Sequence, residues 1–323
     1  PKKVVVWAPR FARQQRADFD AWFREAAGDA EVVFAESGGE FLNESRDADV
    51  VLGRCYGLNA SNINLRWVQR YGVGVERCLD NPAILKNEVV LTNGRGLSGP
   101  YIAEHVITMT MMLSHGMLHQ YRNQQKRNWD RNFLPPGSVR PVWKKEMLVV
   151  GLGGIGTKVA EKAHGLGMRV KAIRNSRREG PDYVEYVGLS HELDDLTQSA
   201  DFVVNTLPLT SSTQGIYDQA FFEKMKSTAY FLNVGRGASV VTQDLVEAIQ
   251  SGSIAGAGLD VFDPEPLPKD HALWGLENVI VTPHNSGRSG YNAPALMIFV
   301  RENLRRYTRG EALLNVVDKK RGY

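Results

Sequence analysis

A glycine-rich turn that follows an apolar strand is the feature that most constrains the fold of this chain. Residues 147–150 read Met-Leu-Val-Val, and the turn after them reads Gly151-Leu152-Gly153-Gly154-Ile155-Gly156. A strand without polar residues is typical of a parallel sheet covered on both faces. In a G-x-G-x-x-G turn, the glycines permit a tight bend, close approach of a pyrophosphate and close packing of the next helix. The pattern predicts a dinucleotide-binding unit, with a structural glycine turn or a methyltransferase as alternatives.

Strand and helix patterns alternate along the whole chain. This alternation predicts an α/β fold with two Rossmann-like lobes, each built on a doubly wound parallel sheet. One long helix is expected at 99–127, a loop at 132–141 and a last helix at about 292–308. The predicted strands are residues 4–7, 31–34, 49–53, 65–70, 89–92, 147–150, 169–173, 202–205, 229–234, 256–261 and 279–282.

Composition and charge exclude several classes of protein. The chain has 323 residues, of which 43% are hydrophobic and 23% are charged, and these values exclude disorder and fibrous repeats. Its net charge of +3 is too small to indicate a nucleic-acid partner. The longest apolar stretch, residues 102–118, contains charged and polar interruptions, so neither a membrane span nor a signal peptide is predicted. Cys55 and Cys78 are expected to be buried free thiols, and the protein is expected to be cytoplasmic, without a metal site.

A basic segment follows the second strand of the glycine-turn lobe. NAD enzymes usually carry an acidic residue about 20 positions after the turn, where it binds the ribose hydroxyls. No carboxylate here would repel a 2′-phosphate, whereas guanidinium and hydroxyl groups can bind one. This segment favours NADP(H) over NAD, with a solvated basic loop as the alternative. Its candidate cofactor-binding residues are Arg174, Asn175, Ser176 and Arg177.

Three polar side chains follow successive apolar strands in the second half of the chain. Arg236 lies between two glycines after residues 229–234, Glu265 lies in a proline-rich turn, and His284 follows a proline. The carboxyl ends of parallel strands face the crevice in which α/β proteins bind ligands. Each residue alone is more typical of a structural or solvated position. Together, Glu265 and His284 are expected to form an acid/base pair, because a carboxylate fixes the tautomer of a neighbouring histidine.

The order of these motifs resembles that of the D-isomer-specific 2-hydroxyacid dehydrogenases, a family that includes glyoxylate/hydroxypyruvate reductases. The matching segments are G-L-G-G-I-G, N-T-L-P-L-T-S-S-T, N-V-G-R-G, G-L-D-V-F-D-P-E-P-L-P and T-P-H. The resemblance implies a dinucleotide-binding domain at 98–288, inserted in a substrate domain formed by 1–97 and 289–323. It also implies a homodimer, with a helix at residues 101–120 between the lobes and at the dimer interface.

The resemblance also implies roles for individual residues. Arg236 would hold the substrate carboxylate and carbonyl, and His284 would be the acid in reduction and the base in the reverse reaction. Glu265 would orient His284. The backbone of Val73 and Gly74 would hold the substrate carboxylate from the other lobe, and closure of the lobes would exclude water. Further cofactor contacts would come from Thr206, Leu207, Pro208, Thr213, Val234, Gly235 and, at the nicotinamide carboxamide, Asp260.

The function expected from these residues is reduction of a small 2-keto acid to a D-2-hydroxy acid by NADPH. Formate is disfavoured, because formate dehydrogenases carry glutamine where this chain has Glu265. A dinucleotide-sensing corepressor-like protein of the same fold and another type of Rossmann oxidoreductase are the alternatives. The substrate stays open at this stage, although cationic side chains could favour a second negative charge. The walls of its pocket are expected to come from Arg54, Tyr56, Leu97, Arg288 and Tyr291.

Overall fold

The chain forms two compact α/β units, one of which interrupts the other in sequence. The computed structural model describes residues 1–8, 16–131, 139–287 and 292–323. The first unit comprises Pro1–Leu97 and Ser289–Tyr323, and the second comprises Ser98–Arg288. Each unit contains one sheet in which all neighbouring strands run parallel. The predicted fold class of two Rossmann-like lobes is confirmed.

The first unit is built on a five-stranded sheet in the order β2-β1-β3-β4-β5. Its strands are β1 (Lys3–Trp7), β2 (Glu31–Ala35), β3 (Val50–Gly53), β4 (Trp67–Arg70) and β5 (Val90–Thr92). Its first helices are α1 (Phe19–Ala27), α2 (Gly38–Glu44), α3 (Glu76–Leu79) and α4 (Pro82–Leu85). Successive residues of a strand face opposite sides of the sheet, so Val5 enters one buried core while Val4 and Val6 enter the other.

The second unit contains a seven-stranded sheet in the order β12-β11-β10-β9-β6-β7-β8. Its strands are β6 (Glu146–Val150), β7 (Arg169–Arg174), β8 (Tyr186–Leu189), β9 (Phe202–Asn205), β10 (Tyr230–Asn233), β11 (Gly256–Leu259) and β12 (Val279–Val281). Its α-helices are α5 (Gly99–Ser114), α6 (Met117–Gln125), α7 (Gly154–Gly165), α8 (Leu193–Ser199), α9 (Gln219–Phe222) and α10 (Thr242–Gln250). The chain then returns to the first unit through α11 (Asn292–Thr308).

Strand β6 shows why the apolar run of the sequence is needed. Met147 and Val149 enter the core on one face of the sheet, and Leu148 and Val150 enter the core on the other. The strand order reverses between β6 and β9, the position at which doubly wound sheets bind their ligands. The glycine turn follows β6 at this position.

The structure differs from the sequence-based expectation at three places. The single helix expected at 99–127 is two helices, because Gly116 adopts a left-handed φ of +62° between α5 and α6. Helix α2 was not predicted, although Ser37 and Glu40 form a capping box at its start. Strand β8 was also not predicted. Most of the loop expected at 132–141 lies outside the described residues.

The prediction of two free thiols is wrong, because Cys55 and Cys78 form a disulfide bond. Cys55 follows β3 and Cys78 lies in α3, so the fold brings together two segments that are 23 residues apart in sequence. Both cysteines are buried. A count of two cysteines carries no information on this tertiary placement. The thiols therefore no longer support the expectation of a reducing, cytoplasmic compartment.

Within the described parts of the chain, no helix is both long enough and apolar enough to cross a membrane.

Candidate functional site

The glycine turn after β6 is held in a shape that only glycine permits at two positions. Gly151 adopts a φ of +101°, and a Cβ atom there would lie 3.0 Å from Thr206 Oγ1. A Cβ atom on Gly156 would lie 2.0 Å from the carbonyl oxygen of Gly151. The hydroxyl of Thr206 donates to that same carbonyl oxygen at 2.6 Å. The turn is thus braced from β9, on the other side of the switch point.

The middle of the turn is open, as a phosphate site requires. A Cβ atom on Gly153 would meet no atom within 4 Å. Gly153 also precedes the first residue of α7, and among the described residues no side chain caps that helix end. The amide groups of the first helical turn and the helix dipole are therefore available to an anion. These residues fit the pyrophosphate of a dinucleotide.

The segment after β9 places several of the predicted cofactor residues around the turn. Leu207 lies against Gly151, and its amide donates to the side chain of Asn205 at 3.0 Å. The Thr213 hydroxyl donates to the carbonyl of Pro208 at 2.7 Å and closes the segment on itself. Asn205 is fully buried and donates to Asn233 at the end of β10. Asn205 was not singled out from the sequence, although a polar residue at the end of an apolar strand was the available signal.

The basic segment after β7 contains both paired and exposed groups. The Arg174 guanidinium donates a hydrogen bond to the carbonyl of Glu179 at 2.7 Å. Asn175 accepts a weak hydrogen bond from Ser190 at 3.3 Å, and Ser176 and Arg177 are exposed. Arg177 Nη1 lies 3.6 Å from the Glu179 carboxylate.

Arg178, the next residue, is paired with side chains of the same unit. Its guanidinium forms an ion pair with Glu192 at 2.7 Å and donates to the Tyr186 hydroxyl at 2.8 Å. The Arg178 hydrogen bond, together with the Leu189 amide and the Tyr186 hydroxyl, lowers the pKa of Glu192 to about 2. Arg174, Asn175, Ser176 and Arg177 stay the predicted contacts of a ribose phosphate.

Glu265 and His284 form the pair that the sequence predicts. His284 Nδ1 lies 2.8 Å from Glu265 Oε2, and Glu265 Oε1 accepts the amide of Phe262 at 3.0 Å. Because an ionised carboxylate can only accept hydrogen bonds, His284 Nδ1 carries the proton of this contact. The opposite nitrogen, Nε2, is thereby set to give or take a proton. Both side chains are partly exposed, at 51% for His284 and 37% for Glu265, so a small molecule can reach them.

Asp260 holds the turn that carries His284. Its fully buried carboxylate accepts the amides of Asn285 and Ser286, both at 3.0 Å, and the hydroxyl of Thr282 at 2.6 Å. His284 itself adopts a left-handed φ of +49°, which is unfavourable for a residue with a side chain. The hydrogen bonds on either side of His284 offset this strain. This role was not predicted, and the expected contact of Asp260 with a nicotinamide carboxamide stays a prediction.

Arg236 lies at the end of β10, beside the segment of Glu265. A Cβ atom on Gly237 would lie 1.9 Å from the carbonyl carbon of Phe262, so only glycine allows this close approach of the two backbones. Phe262 is the residue whose amide binds Glu265. The Arg236 guanidinium is half-buried and donates to the carbonyl of Gly235 at 2.7 Å. Gly235 and Val234 are buried at the strand end. Arg236 is therefore anchored against the peptide that orients the acid/base pair.

Val73 and Gly74 lie in the first unit, in the loop between β4 and α3. The side chain of Asn93 donates to the carbonyl of Val73 at 2.8 Å, and the amide of Gly94 donates to the carbonyl of Gly72 at 3.0 Å. In the described part of the chain, the amides of Val73 and Gly74 donate no hydrogen bond. Consecutive amides held in this way are suited to binding an anion. Of the other predicted pocket residues, Arg288 and Tyr291 lie outside the described residues.

A sequence profile identifies the family. The profile for "D-isomer specific 2-hydroxyacid dehydrogenase, NAD binding domain" matches residues 107–286, which is more than half of the chain. The chain belongs to this family. The dehydrogenase is therefore an NAD(P)-dependent enzyme, and the turn after β6 lies in its NAD(P)-binding domain. Within the residues described, no group of three or more histidine, cysteine or acidic side chains could hold a metal ion.

Relatives of this dehydrogenase include reductases of small keto acids. It is 33% identical over 257 residues to a glyoxylate reductase of Korarchaeum cryptofilum, covering 79% of this chain and 76% of that protein. It is 36% identical over 222 residues to a glyoxylate/hydroxypyruvate reductase B of Klebsiella pneumoniae, covering 68% of each. A crystal structure of the NADPH-dependent glyoxylate/hydroxypyruvate reductase of Sinorhizobium meliloti, in complex with NADP and sulfate, is similar with a TM-score of 0.80, at 27% identity over the full length of both chains.

Proposed function

We propose that this dehydrogenase reduces a 2-keto acid to a D-2-hydroxy acid, with NADPH as the hydride donor. The observation that carries the proposal is the contact of 2.8 Å between His284 and Glu265, beside the anchored Arg236. Hydride reduction of a carbonyl needs a proton donor and a cation that stabilises negative charge on oxygen. These three side chains supply both, at the ends of the adjacent strands β10, β11 and β12.

The cofactor would lie along the carboxyl end of the seven-stranded sheet. Gly151, Gly153, Gly154, Ile155 and Gly156 would bind the pyrophosphate, and the segment from Thr206 to Thr213 would line the site. When bound, NADPH supplies the hydride that reduces the carbonyl carbon. The preference for NADPH over NADH rests on Arg174, Ser176 and Arg177, because no acidic side chain stands at the end of β7 to repel a 2′-phosphate. The Sinorhizobium reductase is described as NADPH-dependent, which supports this preference.

His284 would act as the general acid. Its Nδ1–H bond to Glu265 leaves Nε2 to donate a proton to the carbonyl oxygen of the substrate as the hydride arrives. The Glu265 carboxylate stabilises the positive charge of the imidazolium and fixes its orientation. In the reverse direction, the neutral Nε2 accepts the proton of the hydroxyl group. Glu265 is thus a positioning residue for the histidine.

The substrate would be held by its carboxylate and its carbonyl. The Arg236 guanidinium can bind both oxygens of a carboxylate and polarise a neighbouring carbonyl. The amides of Val73 and Gly74, which donate no hydrogen bond within the described residues, would donate to a substrate carboxylate. These contacts select a 2-keto acid over an aldehyde or ketone without a carboxylate. The reductase names of the relatives agree with a small acid.

Product analysis tests the proposed reaction directly. Incubation with NADPH and glyoxylate, hydroxypyruvate or pyruvate should consume one NADPH for each hydroxy acid formed. Chiral chromatography of the product from pyruvate should give D-lactate alone. Formation of L-lactate, or consumption of NADPH without a hydroxy acid, would contradict the proposal.

We also propose that the enzyme is a homodimer that pairs through α5 and α6. Met117 and Tyr121 lie four residues apart on α6 and are 47% and 61% exposed. Trp129, beyond the end of α6, is 86% exposed. Met117 and Tyr121 share one face of the helix, and exposed apolar side chains on one helix face are suited to a contact surface. Light scattering should give twice the chain mass of 36.0 kDa, and a monomer would contradict this proposal.

A further inference from the structure

Three arginines of the first unit surround one tyrosine ring. The guanidinium carbon of Arg77 lies 4.5 Å from the centre of the Tyr56 ring, that of Arg54 at 5.7 Å and that of Arg70 at 5.8 Å. Arg54 also lies 4.3 Å from the centre of the Trp7 ring. Aromatic faces attract guanidinium groups, so the two rings hold these cations in place. We call Arg54, Tyr56 and Arg77 the basic cluster.

The basic cluster lies at the edge of the sheet where a ligand is expected. Trp7 ends β1 and Arg54 follows β3, and the strand order 2-1-3-4-5 reverses between these two strands. Sheets of this order bind ligands at the carboxyl ends of the strands on either side of the reversal. The cluster therefore stands where the topology of the first unit places a binding site.

The basic cluster is also next to the loop proposed to hold the substrate carboxylate. The amide of Tyr71 donates to the carbonyl of Gly53 at 3.1 Å, which joins the residue before Arg54 to the start of the Val73–Gly74 loop. Adjacent strands of a sheet are about 4.8 Å apart. A Cβ atom on Gly72 would also lie 3.0 Å from Arg70 Nη2. The Val73–Gly74 loop and the basic cluster therefore begin at neighbouring strand ends of the same sheet.

In the part of the chain that the structure describes, neither Arg54 nor Arg77 forms an ion pair with an acidic side chain. Two cations held against the same ring repel each other. An anion bound beside these guanidinium groups would reduce this repulsion and accept charge-assisted hydrogen bonds.

The cluster is built on a fixed platform. The disulfide between Cys55 and Cys78 joins the residue between Arg54 and Tyr56 to the residue after Arg77. Tyr56 packs against the buried core on that side of the sheet. The backbone segments that carry the two arginines are therefore joined before any ligand arrives, which lowers the entropy cost of binding.

We propose that Arg54 and Arg77 bind a second anionic group of the substrate. The preferred substrate is then a 2-keto acid that carries a carboxylate or a phosphate at the end remote from its keto group. This inference rests on the proposed function, because it takes the Val73–Gly74 loop as the site of the first carboxylate. It names the class of substrate that the reductase takes.

Matched pairs of substrates test the inference. The pairs are 2-oxoglutarate with 2-oxopentanoate, oxaloacetate with 2-oxobutanoate, and 3-phosphohydroxypyruvate with hydroxypyruvate. The members of the first two pairs differ by a terminal carboxylate in place of a methyl group, and those of the third by a phosphate. The measurement is kcat/KM with NADPH for the wild type, Arg54→Gln, Arg77→Gln and Arg54→Lys. Arg46→Gln is the matched control, because Arg46 is an exposed arginine of the same unit outside the cluster.

For at least one pair, the wild type should favour the acid with the additional anion by about tenfold or more. Arg54→Gln and Arg77→Gln should each lower this ratio by about tenfold, mainly through KM, whereas Arg46→Gln should keep it. Arg54→Lys should keep part of the ratio, because it retains the charge without the planar fork. The pair with the largest ratio identifies the second group as a carboxylate or a phosphate.

The other outcomes overturn the inference. They also show whether the proposed function fails together with it. If the wild type reduces both members of every pair equally well, the second-anion site is wrong while the reductase function stands. If the ratio is large but unchanged in both glutamine variants, the anion binds elsewhere. If none of the six acids is reduced, the proposed function fails and the inference fails with it. Arg77 is exposed, so Arg77→Gln serves as the test in case Arg54→Gln does not fold.

Discussion

Glu265 Oε2 accepts the Nδ1 proton of His284 at 2.8 Å, although 19 residues separate the two in sequence. The contact exists because the turns after β11 and β12 leave the same edge of the sheet. The other oxygen of Glu265 is occupied by the Phe262 amide, so the carboxylate cannot rotate away from the histidine without losing a bond. The pair is therefore oriented before substrate binds, as efficient proton transfer requires.

Glu265→Gln should lower kcat for keto acid reduction by about tenfold or more. The amide keeps the shape of the side chain but removes the charge that stabilises the protonated imidazole. The pH profile of kcat should change as well, because the charge beside the imidazole is lost. Glu277→Gln, an exposed acidic position of the same unit, is the control and should leave the pH profile in place. An unchanged profile in Glu265→Gln would show that Glu265 does not act through His284.

Asp260→Asn should impair catalysis through the turn of His284. An amide in place of the carboxylate directs an NH₂ group at one of three donors, and an unsatisfied buried donor costs about 1–3 kcal/mol. We expect lower thermal stability, a lower kcat and a displaced pH profile of kcat. Asp263→Asn changes an exposed carboxylate of the adjoining turn and should leave all three in place. If Asp260→Asn loses stability but keeps the pH profile of kcat, Asp260 has a structural role alone.

Arg174→Asp should shift the cofactor preference from NADPH toward NADH. A carboxylate at the end of β7 repels a 2′-phosphate and can accept the ribose hydroxyls instead. The ratio of kcat/KM for NADPH and NADH should fall by about tenfold or more, since a charged hydrogen bond contributes about 1.5–3 kcal/mol. Arg178→Gln should change the ratio little, because Arg178 is paired with Glu192. An unchanged ratio in Arg174→Asp would contradict the assignment of this segment to the phosphate.

Glu192 should contribute to stability in a pH-dependent manner. Its hydrogen bond from Arg178 is the main cause that lowers its pKa from the ordinary 4.5 to about 2. A carboxyl group with a lowered pKa in the folded state stabilises the fold above the pKa of the unfolded state. The difference in Tm between the wild type and Glu192→Gln should be constant above about pH 5. It should shrink as the pH falls from 4.5 to about 2, and a difference independent of pH would contradict this account.

Local patterns predicted the elements whose sequence carries a strong periodic or apolar signal. Strand β6 and the glycine turn were predictable because an all-apolar strand followed by three spaced glycines is compatible with few other structures. The contact of Glu265 with His284 was predictable because each follows one of two successive apolar strands. Strand β8 was missed, since Gly188 weakens its strand pattern. A Cβ atom at this position would lie 2.7 Å from the end of the Leu196 side chain, which would have to move to admit a larger residue.

Features that depend on tertiary placement could not be predicted. The disulfide between Cys55 and Cys78 requires that α3 pack beside the end of β3, and no local pattern encodes this. Asp260 was singled out as a cofactor contact, whereas its observed bonds go to the turn of His284. The break at Gly116 was missed because a single glycine is often tolerated inside a helical pattern. For the disulfide and for Asp260, the deciding partner lies outside the local sequence window.

The most direct test of the central claim compares the wild type with His284→Ala. The measurement is the initial rate of NADPH oxidation with glyoxylate, hydroxypyruvate and pyruvate, next to the affinity of both proteins for NADPH. We predict that the wild type oxidises NADPH with at least one acid. His284→Ala should lose about a hundredfold or more of that rate while binding NADPH equally well. A wild type that binds NADPH tightly but reduces no acid would favour a dinucleotide-sensing protein, and full activity in His284→Ala would contradict the mechanism.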